Sequence, residues 1–189
     1  IVLGTYLILS IVYLWAMLRF EGGKGSATGL RVVSAIALVC AVLVHSVTAW
    51  IFGLQQGREM WHTALLGPWF VSSALVCGVA LVLVVVIALR RAGYVQLDQK
   101  HVVKMLKLLG VFVLVDLYFF GCDLLTEGFP AGSGADIVAM LTTGALAPFF
   151  WIEVLGCAAT AVIAFVPKLR TNPLIVVAAV LAIVGIFCK

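Results

Sequence analysis

Long apolar runs alternate with short polar connections along the whole chain. Six runs are long enough to cross a bilayer as helices: residues 1–18, 32–54, 65–89, 102–125, 137–166 and 174–188. The last is short for a span and is expected to continue past Lys189. The fifth is too long for one straight span, and Gly144 and Pro148 inside it predict a kink or a turn just before the membrane. The pattern therefore predicts an all-α fold, a polytopic transmembrane bundle of six spans forming one unit over residues 1–189.

The connections are distinct in chemistry. The first, residues 19–31, is glycine-rich; the second, 55–63, reads Gln-Gln-Gly-Arg-Glu-Met-Trp-His-Thr. The third, 90–101, opens on two arginines. The fourth, 126–136, is Gly/Pro/Ser-rich with Glu127 and Asp136, and the fifth, 167–173, is Pro-Lys-Leu-Arg-Thr-Asn-Pro. Lys and Arg number 12 in all. Arg19, Lys24, Arg31, Arg90, Arg91, Lys100, Lys104, Lys107, Lys168 and Arg170 lie at connections one, three and five; only Arg58 and Lys189 lie at the other ends. One crossing per run puts every basic connection on one face, and the positive-inside rule makes that face cytoplasmic. Connections two and four then face outside.

Composition agrees with a multi-pass protein of the inner or plasma membrane: 65% apolar, 11% charged, mean hydropathy +1.25. A soluble domain carries roughly 25% charged residues. The net charge of +4 follows from the positive-inside bias, and no aromatic-interleaved basic patch suggests nucleic acid. The chain opens on Ile-Val-Leu-Gly with no Met, inside an apolar run, and is expected to be an internal piece of a longer polypeptide; that run has neither the basic start nor the cleavage pattern of a signal peptide. Cys40, Cys77, Cys122, Cys157 and Cys188 all fall in apolar runs without a C-x-x-C pair, so they are expected to pack as small hydrophobes rather than hold an iron–sulfur cluster.

Against that background the intramembrane ionisable residues stand out. Asp116 and Asp123, seven residues apart, share a helix face, and Glu153 and His45 sit inside other runs. Such groups are costly at bilayer depth and usually face a bundle interior or a wet cavity. Counting ~1.5 Å per residue from Lys107 puts Asp116 about 13 Å in and Asp123 about 24 Å in; from Arg31, His45 is about 21 Å in. The three are expected to form a ladder from the midplane to the outer face, with Arg58, Trp61 and His62 closing over its outer end. Haem needs a second histidine at matched depth, and His62 and His101 lie at opposite faces, so no haem is expected in this chain. An acid/base set without a metal-ligand pattern suits two readings: a proton-coupled secondary transporter, or a quinone site.

At the second connection the wording becomes familiar. His45-Ser-Val-Thr-Ala-Trp, Gly57-Arg-Glu-Met-Trp-His-Thr, Gly67-Pro-Trp-Phe and Gly78-Val-Ala, in that order, resemble the NrfD/PsrC family of quinone-interacting membrane subunits of iron–sulfur oxidoreductases. The order also resembles the ActC-type subunits of alternative complex III. The stretch from Lys107 to Asp123 with Tyr118, then Phe150-Trp-Ile-Glu-Val-Leu-Gly156, then Arg170-Thr-Asn-Pro173, resemble later family signatures. The wording around Arg58 and Trp61 is similar to the DsrP-like subunits of sulfite-reduction-linked complexes.

The resemblance implies roughly eight to ten spans in the whole protein, no cofactor in this subunit, and a menaquinone or other quinone bound near the outer face. It also implies an iron–sulfur protein on that face, with other membrane and redox subunits. His45 and Asp123 match family pocket positions, and Arg58, Trp61, His62 and Tyr118 complete the expected quinone-binding set. His45 is expected to hold a ring oxygen and exchange its proton, since an imidazole titrates near working pH. Asp123 relays that proton outward, and Asp116 and Glu153 are candidates for a deeper proton path. One departure stands: ActC-type chains place an acid six residues after the histidine, where this chain has Ile51.

Overall fold

The computed structural model of the chain describes residues 2–23, 25–55, 63–129 and 133–189. In chain order the helices are α1 (Val2–Glu21), α2 (Ala27–Gly53), α3 (Leu66–Arg91), α4 (Gln99–Gly128), α5 (Ser133–Thr142), α6 (Ala147–Phe165) and α7 (Asn172–Phe187), with one 3-10 turn at Pro167–Leu169. Helices are what a lipid-embedded chain must form, because each span satisfies its own backbone hydrogen bonds. Among the described residues α1, α2, α3, α4 and α6 are long and apolar enough to cross a membrane. The expected sixth span is a helix, but α7 has only 16 residues, about 24 Å, which is short of the hydrocarbon thickness. The described residues thus give five helices of full spanning length and a shorter sixth apolar helix where the short last run was expected.

The expected break in the fifth run is present. α5 ends at Thr142 and α6 starts at Ala147, with Pro148 in its first turn, where its missing N–H costs nothing. Gly144 closes α5 by donating to the carbonyls of Ala139 and Met140, and a Cβ there would stand 2.7 Å from the Met140 oxygen. The indole of Trp151 reaches back to the Thr142 carbonyl at 3.2 Å, tying α6 to the end of α5.

At the opposite end of the bundle, side chains and glycine close the helices. Gly93, at φ +80°, ends α3 while the Tyr94 N–H returns to Leu89 O at 3.0 Å. Arg90 donates to the Gln99 side chain, joining α3 to the start of α4. Arg170 donates to the free carbonyls of Ala164 (3.1 Å) and Phe165 (2.8 Å), a cationic cap on α6. Arg19 and Arg31 stand at the same end if consecutive helices run antiparallel; Lys24 lies outside the described residues.

The main core lies between α3, α4, α6 and α7, where Leu83, Leu106, Leu109, Val113, Cys157 and Ile175 are fully buried. Small residues set the close approaches. A Cβ on Gly110 would stand 2.6 Å from that of Ala164, and one on Gly185 would stand 3.2 Å from Cys157 Sγ. Thr160 donates across the α6–α7 contact, its Oγ1 lying 2.9 Å from Ala178 O. A second, aromatic cluster of Ala49, Leu66, Trp69, Phe120 and Phe150 sits toward the end bearing connections two and four. α1 packs along α2, and α2 meets the bundle through α3. No described residue of α1 is buried, and in α2 only Ala49 is.

Candidate functional site

The aromatic cluster opens onto a cavity of about 520 Å³ formed by the ends of α2, α3 and α4 that bear connections two and four, the end of α5, the start of α6, and the end of α7 with the residues after it. Helical spacing supplies its lining. On α3, Trp69 and Ser73 are one turn apart; on α4, Phe120 and Asp123 are; on α6, Phe150 and Glu153 are. Trp69 stacks on Phe120 with centroids 5.5 Å apart and planes at 28°, and Phe120 meets Phe150 at 5.5 Å. The wall is thus a run of contiguous rings, suited to a flat apolar ligand.

The polar edge is unevenly satisfied. Asp116 is fully buried. Its Oδ1 accepts from Ser72 (2.6 Å) and Ser73 (2.7 Å), and the Lys189 ammonium donates at 3.0 Å to Oδ2 and 3.1 Å to Oδ1. Lys189 also donates to Ser73 Oγ at 2.7 Å and stands 3.9 Å above the Trp69 ring. Asp116 therefore has the partner that a buried charge requires. Three residues of the cavity lining carry a polar atom that does not: Glu153 Oε1, Asp123 Oδ1 and Trp69 Nε1 are buried with no hydrogen-bond partner among the described residues. Glu153 is 2% exposed; Asp123 is half-buried, with the Thr63 hydroxyl beside it.

The residues singled out from sequence divide accordingly. Asp123 and Glu153 line the cavity, and Asp116 lies behind it, joined to it by Lys189. His45, one turn before buried Ala49, is exposed on α2 and does not line the cavity. Tyr118 is 68% exposed on another face of α4. The ladder of His45, Asp116 and Asp123 is thus assembled only on α4. Arg58, Trp61 and His62 lie outside the described residues. No group of three His, Cys, Asp or Glu able to hold a metal occurs among the described residues.

Sequence reasoning missed Lys189, Trp69, Ser72 and Ser73. The charge pattern puts Lys189 at the outer end of its run; the structure turns it onto Asp116. A signal existed: Asp116 is seventeen residues after the start of α4, and Lys189 is seventeen after the start of α7. Both helices rise from the same end, so the two charges reach one level, about 26 Å up. Trp69 with Ser72 and Ser73 likewise forms an i, i+3, i+4 polar face in an otherwise apolar helix.

Comparison with known proteins bears on this arrangement. The chain is 30% identical over 197 aligned residues to a Halobacterium salinarum protein named as a membrane subunit of dimethyl sulfoxide reductase; the match covers 94% of this chain and 45% of that one. It is 28% identical over 168 residues to the Hdr-like menaquinol oxidoreductase integral membrane subunit of Archaeoglobus fulgidus, covering 87% and 41%. The chain thus spans less than half the length of the curated relatives it matches. The family model described as polysulphide reductase, NrfD, matches residues 1–189, and the chain is a multi-pass membrane protein belonging to that NrfD family.

Proposed function

We propose that this chain is the quinone-binding membrane part of a multi-subunit redox complex. A menaquinone-type ring enters the aromatic cavity near the outer face, and electrons pass between it and an iron–sulfur protein on that face. The observation that carries this reading is the cavity itself. Its ~520 Å³ falls within the ~300–1,000 Å³ of small-molecule sites. Its wall includes the stacked rings of Trp69 and Phe120, and its lining residues Glu153, Asp123 and Trp69 each carry a buried polar atom without a partner among the described residues. Leaving a buried polar atom unpaired costs about 1–3 kcal/mol. The carbonyl oxygens of a quinone would offset that cost at the indole N–H, and the hydroxyls of the reduced quinol would offset it at the carboxyl oxygens. The names of the two relatives, one from a menaquinol oxidoreductase and one from a reductase, support the same chemistry.

A bound quinone supplies a couple that takes up or releases two electrons and two protons. The chain's own residues hold the ring and handle its protons. Glu153 and Asp123 give or take a proton at the ring oxygens, as positioned carboxyls do. Asp123 lies two turns beyond Asp116 toward the outer end of α4, so it is the group through which protons reach the outside. Asp116 is locked to Lys189 and two serines and fixes charge rather than carrying protons. His45, outside the cavity wall, leaves the ring oxygens to these acids.

The test is made on the protein purified within its complex. Glu153→Gln and Asp123→Asn should each slow quinone turnover with the whole complex still assembled, because an amide cannot relay a proton. Wild-type turnover in an assembled Glu153→Gln/Asp123→Asn double variant would overturn the reading.

A further inference from the structure

We propose that the Trp69 indole N–H is the cavity's hydrogen-bond donor to a ring oxygen, and that Lys189, clamped by Asp116, is the residue that positions it. The inference rests on the quinone reading above and assigns a donor within that site. An oxidised quinone offers only acceptor oxygens. Lys189 is the cation of the described lining, and its three N–H bonds are already directed to Asp116 and Ser73. The two carboxyls are acceptors whenever ionised. Trp69 lines the cavity, and its buried Nε1–H is a donor with no acceptor among the described residues. Indole N–H groups usually find a partner when buried, so an unpaired one against a cavity points to a ligand acceptor.

The ring has two close partners. Phe120 stacks on it at 5.5 Å, and the Lys189 ammonium lies 3.9 Å from its centroid, a close cation–π contact. The ammonium is in turn fixed by both Asp116 oxygens, which Ser72 and Ser73 orient. A cation over the ring face also draws electron density from the indole, which strengthens its N–H as a donor. The run of contacts from Ser72 and Ser73 through Asp116 and Lys189 to Trp69 thus ends at a residue of the cavity lining whose buried donor has no acceptor among the described residues. Lys189 acts on the ligand through the indole's placement, which makes it a positioning residue.

The experiment measures the dissociation constant of 2-methyl-1,4-naphthoquinone for the full-length protein in its complex. Trp69→Phe keeps a six-membered ring for Phe120 and the ammonium and removes the N–H together with the five-membered ring, so binding should weaken roughly tenfold. Asp116→Leu/Lys189→Met removes the clamp without leaving a lone buried charge, and should weaken binding several-fold in the Trp69 background. In the Trp69→Phe background the same pair should add nothing, since the group it positions is gone. Lys189→Arg, which can both pair with Asp116 and stack, should retain binding. Unchanged affinity in Trp69→Phe overturns the donor assignment while the quinone reading stands. An additive loss in both backgrounds overturns the positioning role. Absence of naphthoquinone binding by the wild-type complex overturns the quinone reading itself.

Discussion

Breaking the Asp116–Lys189 pair from one side should be far more damaging than removing both charges. At 3.0 Å, two unit charges attract by about 5.5 kcal/mol at an effective dielectric constant near 20. Much of that is consumed in taking the charges out of water. Lys189→Met leaves the Asp116 carboxylate fully buried with only two serine donors, and a lone buried charge of this kind typically costs about 3–5 kcal/mol. Asp116→Leu added to it removes the stranded charge. The serines then keep an acceptor, because the Trp69 carbonyl lies 2.8 Å from Ser72 Oγ and 3.0 Å from Ser73 Oγ. The double variant should therefore lie within about 1–2 kcal/mol of the parent, and the coupling energy of the cycle should exceed about 2 kcal/mol. Reversible unfolding of the purified protein in mixed micelles, for the parent, both single variants and the double variant, measures it. Additive losses, or a Lys189→Met variant within about 0.5 kcal/mol of the parent, would show that the pair does not exist in the folded protein.

Four further outcomes are expected. His45→Ala should retain most quinone turnover where Glu153→Gln loses it, because of the two only Glu153 lines the cavity; the reverse ranking in steady-state assays returns the site to α2. In reconstituted vesicles, proton movement should match the quinone chemistry alone and stay unchanged in the assembled Asp116→Asn complex; extra protons per electron, lost in that variant, contradict the fixed role of Asp116. Single cysteines at positions 133 and 93 should be labelled by a membrane-impermeant thiol reagent from the outside and the inside respectively, and labelling of both from one side removes the topology. Gly110→Val should destabilise the bundle by about 1–3 kcal/mol in the same unfolding assay, since even a Cβ there stands 2.6 Å from that of Ala164; an unchanged midpoint denies the α4–α6 contact.

Hydropathy located nearly every helix, and what it left out has physical causes. The run at 65–89 becomes α3, Leu66–Arg91, and the run at 102–125 becomes α4, Gln99–Gly128. The helices overrun the apolar segments because backbone hydrogen bonding does not stop where lipid does, and Gln99, Lys100 and Arg91 are good helix formers. Gly144 and Pro148 marked the α5–α6 break because each acts on the backbone alone. The pairing of Asp116 with Lys189 is of another kind. Depth follows from counting along one helix, but which side chains meet at that depth depends on the rotation of each helix and on which helices are neighbours. Neither is written in hydropathy, and here both were set by close approaches at Gly110, Gly156 and Gly185.

The same distinction explains why the acids were legible and their division of labour was not. An aspartate or glutamate in an apolar run is visible at once, because its cost at bilayer depth is large. From sequence, Asp123 is set at the quinone and Asp116 is grouped with Glu153 on a deeper proton path. The structure separates them by what lies within about 3 Å: Asp116 has two serines and, at its edge, an ammonium, whereas Glu153 and Asp123 each keep a buried oxygen without a partner among the described residues. A satisfied carboxylate holds geometry; an unsatisfied one beside a cavity has capacity left for a ligand. Trp69 belongs with the second group although it carries no charge, and hydropathy hides it for that reason. Its buried N–H is counted as apolar bulk until the helices are packed and the atoms around it can be named. The unpaired atoms of the cavity, rather than the ionisable residues as a class, are therefore the better guide to which substitutions will alter binding and which will alter only the stability of the bundle.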